Sequence, residues 1–122
     1  MNNQNNDNEK IALLLKFLNC ILSNLNKPNI DNLFDFKKIT RKDIISQANV
    51  LHEMTEEFNN LFTKKEVAYS ERNRSKYYIL VFLKSIVKSI NLKLTTSEKI
   101  ETVIVNDKKY NRAILCYSII QK

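Results

Sequence analysis

Apolar residues recur at helical spacing in three long stretches, and near the C terminus the period drops to two. The first stretch runs from Glu9 to about Leu25, after Asp7 or Asn8 as cap. Ile11, Leu14, Leu15, Leu18, Ile21, Leu22 and Leu25 keep a helical period there. Ala12, Leu13, Phe17 and Cys20 widen the apolar surface well beyond one stripe, leaving only Lys16, Asn19 and Ser23 as a polar strip. A helix apolar on most sides is either central to its own core or shared with a partner, so Leu13, Phe17 and Cys20 are candidate interface residues. Ahead of it, Met1 to Asn8 is polar and low in complexity and reads as an unstructured tail.

Pro28 breaks the chain, and Asp31 to Phe36 reads as a short helical turn inserting Leu33, Phe34 and Phe36 as a plug. Thr40-Arg41-Lys42-Asp43 resembles a capping box and opens a helix expected to run unbroken to Phe62. Ile44, Ala48, Leu51, Phe58 and Phe62 form its inner stripe, flanked by Ile45, Met54 and Leu61, and Glu53, Glu56 and Glu57 take the opposite face. An acidic face is repelled by phosphate and is excluded as a nucleic-acid contact. Thr63 to Glu66 is a further cap, opening a short turn to Tyr69.

The third helix is expected from Ser70 to Asn91. Its inner stripe is Ile79, Leu83, Ile86 and Ile90, widened by Leu80, Phe82 and Val87. Its outer side carries Arg74, Tyr77, Val81, Lys84 and Lys88, so cations and a tyrosine share one face with no acid between them. Such a face sets charges against phosphates while an aromatic ring packs on sugar or base; a solvated helix surface carries the same residues. Lys99 to Val105 is β-branched, Asn106-Asp107 turns the chain, and Lys108 to Ile120 returns. Without glycine the turn is expected to need three or four residues, and a third strand is expected near Leu92–Leu94. Lys108, Lys109 and Arg112 gather at the tip, where they would track phosphate or guard a strand edge.

The pattern predicts a predominantly helical α+β domain over residues 9–122, with three main helices and a C-terminal β-hairpin. At 122 residues one core is enough. The net charge of +7 points to an anionic partner, although heavy use of Asn, Lys and Ile also fits AT-rich codons. Glycine is absent, which excludes phosphate-cradling and dinucleotide loops and leaves Asn to end helices. Cys20 and Cys116 sit in apolar runs far apart and read as reduced core thiols, with a disulfide between them as the alternative. His52 lacks an arranged nucleophile or carboxylate, so neither catalysis, a metal nor a cofactor is expected. Lys16 and Asn19 interrupt the first apolar run, which argues against membrane insertion and for an intracellular protein.

Ser75 to Lys88 (SKYYILVFLKSIVK) and Val105 to Arg112 (VNDKKYNR) carry a resemblance. The segment from Tyr69 to Ile119 looks like the helix-plus-wing segments of replication and DNA-binding proteins of large eukaryotic DNA viruses. Where such wings commonly show Asn-Gly-Lys, this chain has Asn106-Asp107-Lys108. The resemblance implies a winged helix-turn-helix, with Arg72, Arg74, Lys76 and Tyr77 at the start of its recognition helix. It also implies DNA ahead of RNA as the ligand. The expectation is a non-enzymatic nucleic-acid-binding protein using Arg72, Arg74, Lys76, Tyr77, Lys84, Lys88, Lys108, Lys109 and Arg112. The alternative is a protein–protein adaptor or homo-oligomer held through helix 9–25.

Overall fold

The computed structural model describes residues 3–63 and 77–122. Helix α1 (Asn3–Asn24) is followed by a 3-10 turn (Leu33–Asp35), strand β1 (Ile39–Thr40), and helices α2 (Arg41–Ile45), α3 (Ala48–Leu61) and α4 (Tyr78–Ser89). Strands β2 (Leu92–Val105) and β3 (Lys108–Gln121) close the chain. The architecture is α+β, with the described strands in a three-stranded antiparallel sheet of order β1-β3-β2.

The core is built where three helices bring one phenyl ring each to a common point. Phe17 of α1 meets Phe58 of α3 edge to face at 5.4 Å, Phe58 meets Phe82 of α4 at 4.9 Å, and Phe17 meets Phe82 at 5.8 Å. Perpendicular rings at these separations put positive edges against negative faces, which adds to the gain from burial. Around them α1 contributes Leu14, Leu18 and Ile21, all fully buried. This corrects the expected partner surface. Leu13 and Phe17 lie inside the chain's own core, and Cys20 is half-buried against it. The broad apolar face of α1 is broad because α3, α4 and the sheet's Ile119 all pack into one cluster with it.

The helix also starts earlier than expected, at Asn3 rather than Glu9. No proline or β-branched residue between them opposes backward propagation of a helix already anchored by its apolar residues. Its end is a Schellman motif, in which Lys27 N–H donates to Leu22 O (2.8 Å) and Asn26 N–H to Ser23 O (3.1 Å). Asn26 takes φ 58° there, and Asn91 takes φ 63° after α4, as a chain without glycine requires.

After Pro28 the chain is tied back to α1 by side chains, Ser23 Oγ donating to Asn29 Oδ1 (2.9 Å) and Asn19 holding Ile30. Asn19 Nδ2 donates to Ile30 O (2.9 Å), and Ile30 N–H donates to Asn19 Oδ1 (2.8 Å). Of the expected plug, Leu33 and Phe36 are buried, but Phe34 is exposed, because a tight 3-10 turn cannot aim three neighbouring side chains inward.

The helix expected from Arg41 to Phe62 is broken in two. Thr40 caps α2 as predicted, its hydroxyl accepting from Asp43 N–H at 3.1 Å. Three residues after Asp43, the Ser46 hydroxyl donates to Asp43 O (2.6 Å) and Gln47 leaves helical geometry at φ −104°, ψ 24°. A serine that bonds the preceding turn competes with the backbone ladder.

The third strand is not near Leu92–Leu94, which instead opens β2; it is Ile39–Thr40, paired with Tyr117 and Cys116. The hairpin turn has two residues rather than three or four. Asn106 and Asp107 both take positive φ (52° and 64°), and Val105 pairs with Lys108. This matches the right-handed strand twist, and short polar side chains tolerate it without glycine. The β-branched run also extends backward through Thr95 and Thr96, so the strand spans 14 residues.

Candidate nucleic-acid interface

Two local signals converge on one cleft. The Thr40 cap fixes the first turn of α2, so Arg41 and Lys42 emerge beside the start of α4. The Arg41 guanidinium carbon lies 4.6 Å from the centre of the Tyr77 ring, and that ring remains exposed. Facing them, β3 runs past the point where β1 stops pairing and presents Arg112 to Leu115. The result is an open cleft of about 670 Å³ lined by Thr40, Arg41, Lys42, Asp43, Tyr77, Glu101 and Arg112, with Ile45 and Ala113 to Leu115 as its apolar part.

The electrostatics are mixed but cation-rich. Arg112 pairs with Glu101 directly across the hairpin at 3.3 Å, both side chains about half exposed. Such a pair stabilises the fold by at most ~1 kcal/mol, so exchanging Glu101 for an outside anion costs Arg112 little. Over residues 77–122 there are eight Lys and Arg against three Asp and Glu; over residues 1–63 the balance is seven against eight. The acidic face of α3 is accounted for in part by α1, since Lys16 donates to Glu57 at 3.1 Å.

The expected site residues divide into groups. Tyr77 and Arg112 meet in the cleft. Lys84 and Lys88 are exposed on the same α4 stripe as Tyr77 and Val81, extending it by about 16 Å at helical rise. Lys108 and Lys109 sit at the hairpin tip, about 10–14 Å beyond Arg112 at strand rise, and as neighbours point to opposite faces. Arg72, Arg74 and Lys76 lie outside the described residues. Arg41 and Lys42 were not anticipated. The capping box at Thr40 was the available signal, because a cap followed by two cations fixes where those cations leave the helix.

Among the described residues no group of three or more His, Cys, Asp or Glu is placed to hold a metal, and His52 is exposed. Cys20 and Cys116 are free thiols. No described helix is long and apolar enough to cross a membrane. Comparison of the chain with protein-family models, curated proteins and solved structures gave no match.

Proposed function

We propose that the chain is a small nucleic-acid-binding module, acting by binding rather than catalysis, with a winged helix-turn-helix arrangement and with DNA preferred over RNA. The observation that carries this is the stack of the Arg41 guanidinium on the exposed Tyr77 ring, in a cleft shared with Lys42 and Arg112. An aromatic face backed by a cation offers a stacking platform for a base or sugar, and the neighbouring charges meet the phosphates. Lys84 and Lys88 continue the contact along α4, and Lys108, on the same strand face as Arg112, extends it along the hairpin, with Lys109 at the tip. The order of elements supports the winged-helix reading: a helix leads directly into a two-stranded ribbon whose inner strand also pairs with a short strand between α1 and α2. The burial of Leu13 and Phe17 in the chain's own core favours this reading over an adaptor acting through α1.

Fluorescence anisotropy with labelled duplex DNA, single-stranded DNA and RNA tests the proposal. Arg41→Ala with Tyr77→Ala removes the platform, and base stacking alone at ~1–3 kcal/mol corresponds to a weakening of about 5- to 150-fold. Lys84→Glu with Lys88→Glu removes the α4 contacts and weakens binding to all sequences alike. Wild-type affinity in both variants, or no binding by the wild type at about 50 mM salt, overturns the proposal.

A further inference from the structure

The hairpin is far longer than the body it grows from. At 14 residues β2 spans about 48 Å, while the 12-residue α4 packed along it spans about 18 Å. The β1 strand reaches β3 only at Tyr117 and Cys116. Beyond that level the ribbon carries exposed Ile100 and Ile104, 73% and 66% accessible, together with Val105 and Tyr110. Among the described residues no strand pairs with the outer edge of β2. A long apolar edge of this kind is a template for another strand.

The charges along β2 choose the occupant. We propose that this edge pairs antiparallel with the same edge of a second copy of the chain, about a two-fold axis at Ile100. A two-fold normal to the sheet keeps each residue on its own face. With the axis at Ile100, that residue meets its own copy, Glu101 meets Lys99 of the second copy, and Lys99 meets its Glu101. Each Glu101, already bonded to Arg112 across the hairpin, then has a cation on both sides. Shifting the axis to Lys99 sets lysine against lysine, and shifting it to Glu98 or Glu101 sets carboxylate against carboxylate. With the axis at Thr102, Lys99 and Glu101 both face valines. Of these registers only the one at Ile100 sets Lys99 against Glu101, with Glu98 facing Thr102, and opposite-charge cross-strand pairs are the favourable ones.

From Thr96 to Ile104 the paired edge is about 30 Å long. The strip it buries falls short of the ~800 Å² per partner of a standard stable interface, so the association is expected to be weak, and it is sought at micromolar concentrations. It is independent of the nucleic-acid reading and is tested without nucleic acid. Sedimentation equilibrium of the full chain from about 2 to 500 μM brackets that range. The wild type is expected to pass from monomer to dimer mass. Lys99→Glu, which sets acid against acid, keeps it monomeric, and adding Glu101→Lys with Arg112→Glu to that variant restores the dimer, because the charges exchange places both between the copies and across the hairpin. Circular dichroism checks that each variant is folded. A chain that stays monomeric throughout, a dimer that Lys99→Glu leaves intact, or one that the triple exchange fails to restore overturns the proposal.

Discussion

Asn19 is the residue whose substitution tests the folding argument most sharply. Its amide gives one bond to Ile30 O and takes one from Ile30 N–H, at 2.9 and 2.8 Å, where both groups are partly buried. Asn19→Ala removes both bonds and leaves the Ile30 peptide groups to be partly rehydrated. Neutral hydrogen bonds contribute about 1 kcal/mol each net, and a stranded partner costs more, so the loss is about 2–3 kcal/mol. A 122-residue domain has roughly 6–18 kcal/mol in total at ~0.05–0.15 kcal/mol per residue, which makes this a large fraction. The melting temperature should fall by about 6–15 °C, and the urea midpoint by about 1 M or more with an unchanged slope. Asn19→Asp separates the two bonds. The carboxylate still accepts from Ile30 N–H but sets its lone pairs against Ile30 O, so at neutral pH it should destabilise at least as much as alanine. Partial burial and that repulsion raise its folded-state pKa above the unfolded ~3.9. The folded state then holds the extra proton, so the penalty is full above the folded pKa and is relieved as pH falls toward the unfolded value. Urea unfolding of wild type and both variants at about pH 7 and pH 3.5 gives the differences directly. A loss below about 0.5 kcal/mol for Asn19→Ala, or an Asn19→Asp penalty that grows on acidification, refutes the reasoning.

Phe58→Ala removes a ring that touches Phe17, Phe82 and Phe62, and should cost about 3–5 kcal/mol in chemical denaturation; a loss near 1 kcal/mol would mean that the three helices do not meet there. Asp107→Gly relieves a left-handed aspartate in the two-residue turn and should stabilise by about 0.5–1 kcal/mol, read as a rise in melting temperature. Destabilisation would mean that the turn does not hold positive φ at both positions.

Much of the fold was legible because strong periodicity and burial agree. The inner stripe of α4 and most of that of α3 are buried where hydrophobic spacing puts them, and Asn26 and Asn91 end helices as a glycine-free chain demands; on β3 burial does not alternate, since Cys116 and Ile119 are buried on opposite faces. The misreadings have separate physical causes. The spread of apolar residues on α1 could not distinguish an internal core from a shared surface, because periodicity carries no information on how many neighbours a helix has. The break at Ser46-Gln47 turns on one hydroxyl bonding Asp43 O, a local competition that spacing does not register. The β1 strand is two residues long, too short to leave a pattern, and exists because Tyr117 and Cys116 offer it an edge. For the site, the exposed lysines of α4 and the hairpin were readable one by one. The convergence of Arg41 with Tyr77 depends on how α2 sits against α4, which only tertiary packing decides.

The most direct test of the central claim is the salt dependence of duplex-DNA affinity for the wild-type chain. If Arg41, Lys42, Lys84, Lys88 and the hairpin-tip lysines neutralise about five phosphates, log K falls against log salt with a slope of about −4.5 or steeper. That corresponds to a loss of roughly 500-fold between about 50 and 200 mM salt. A slope shallower than about −2, or affinity indifferent to salt, contradicts a phosphate-tracking surface and would leave the +7 charge without a nucleic-acid partner.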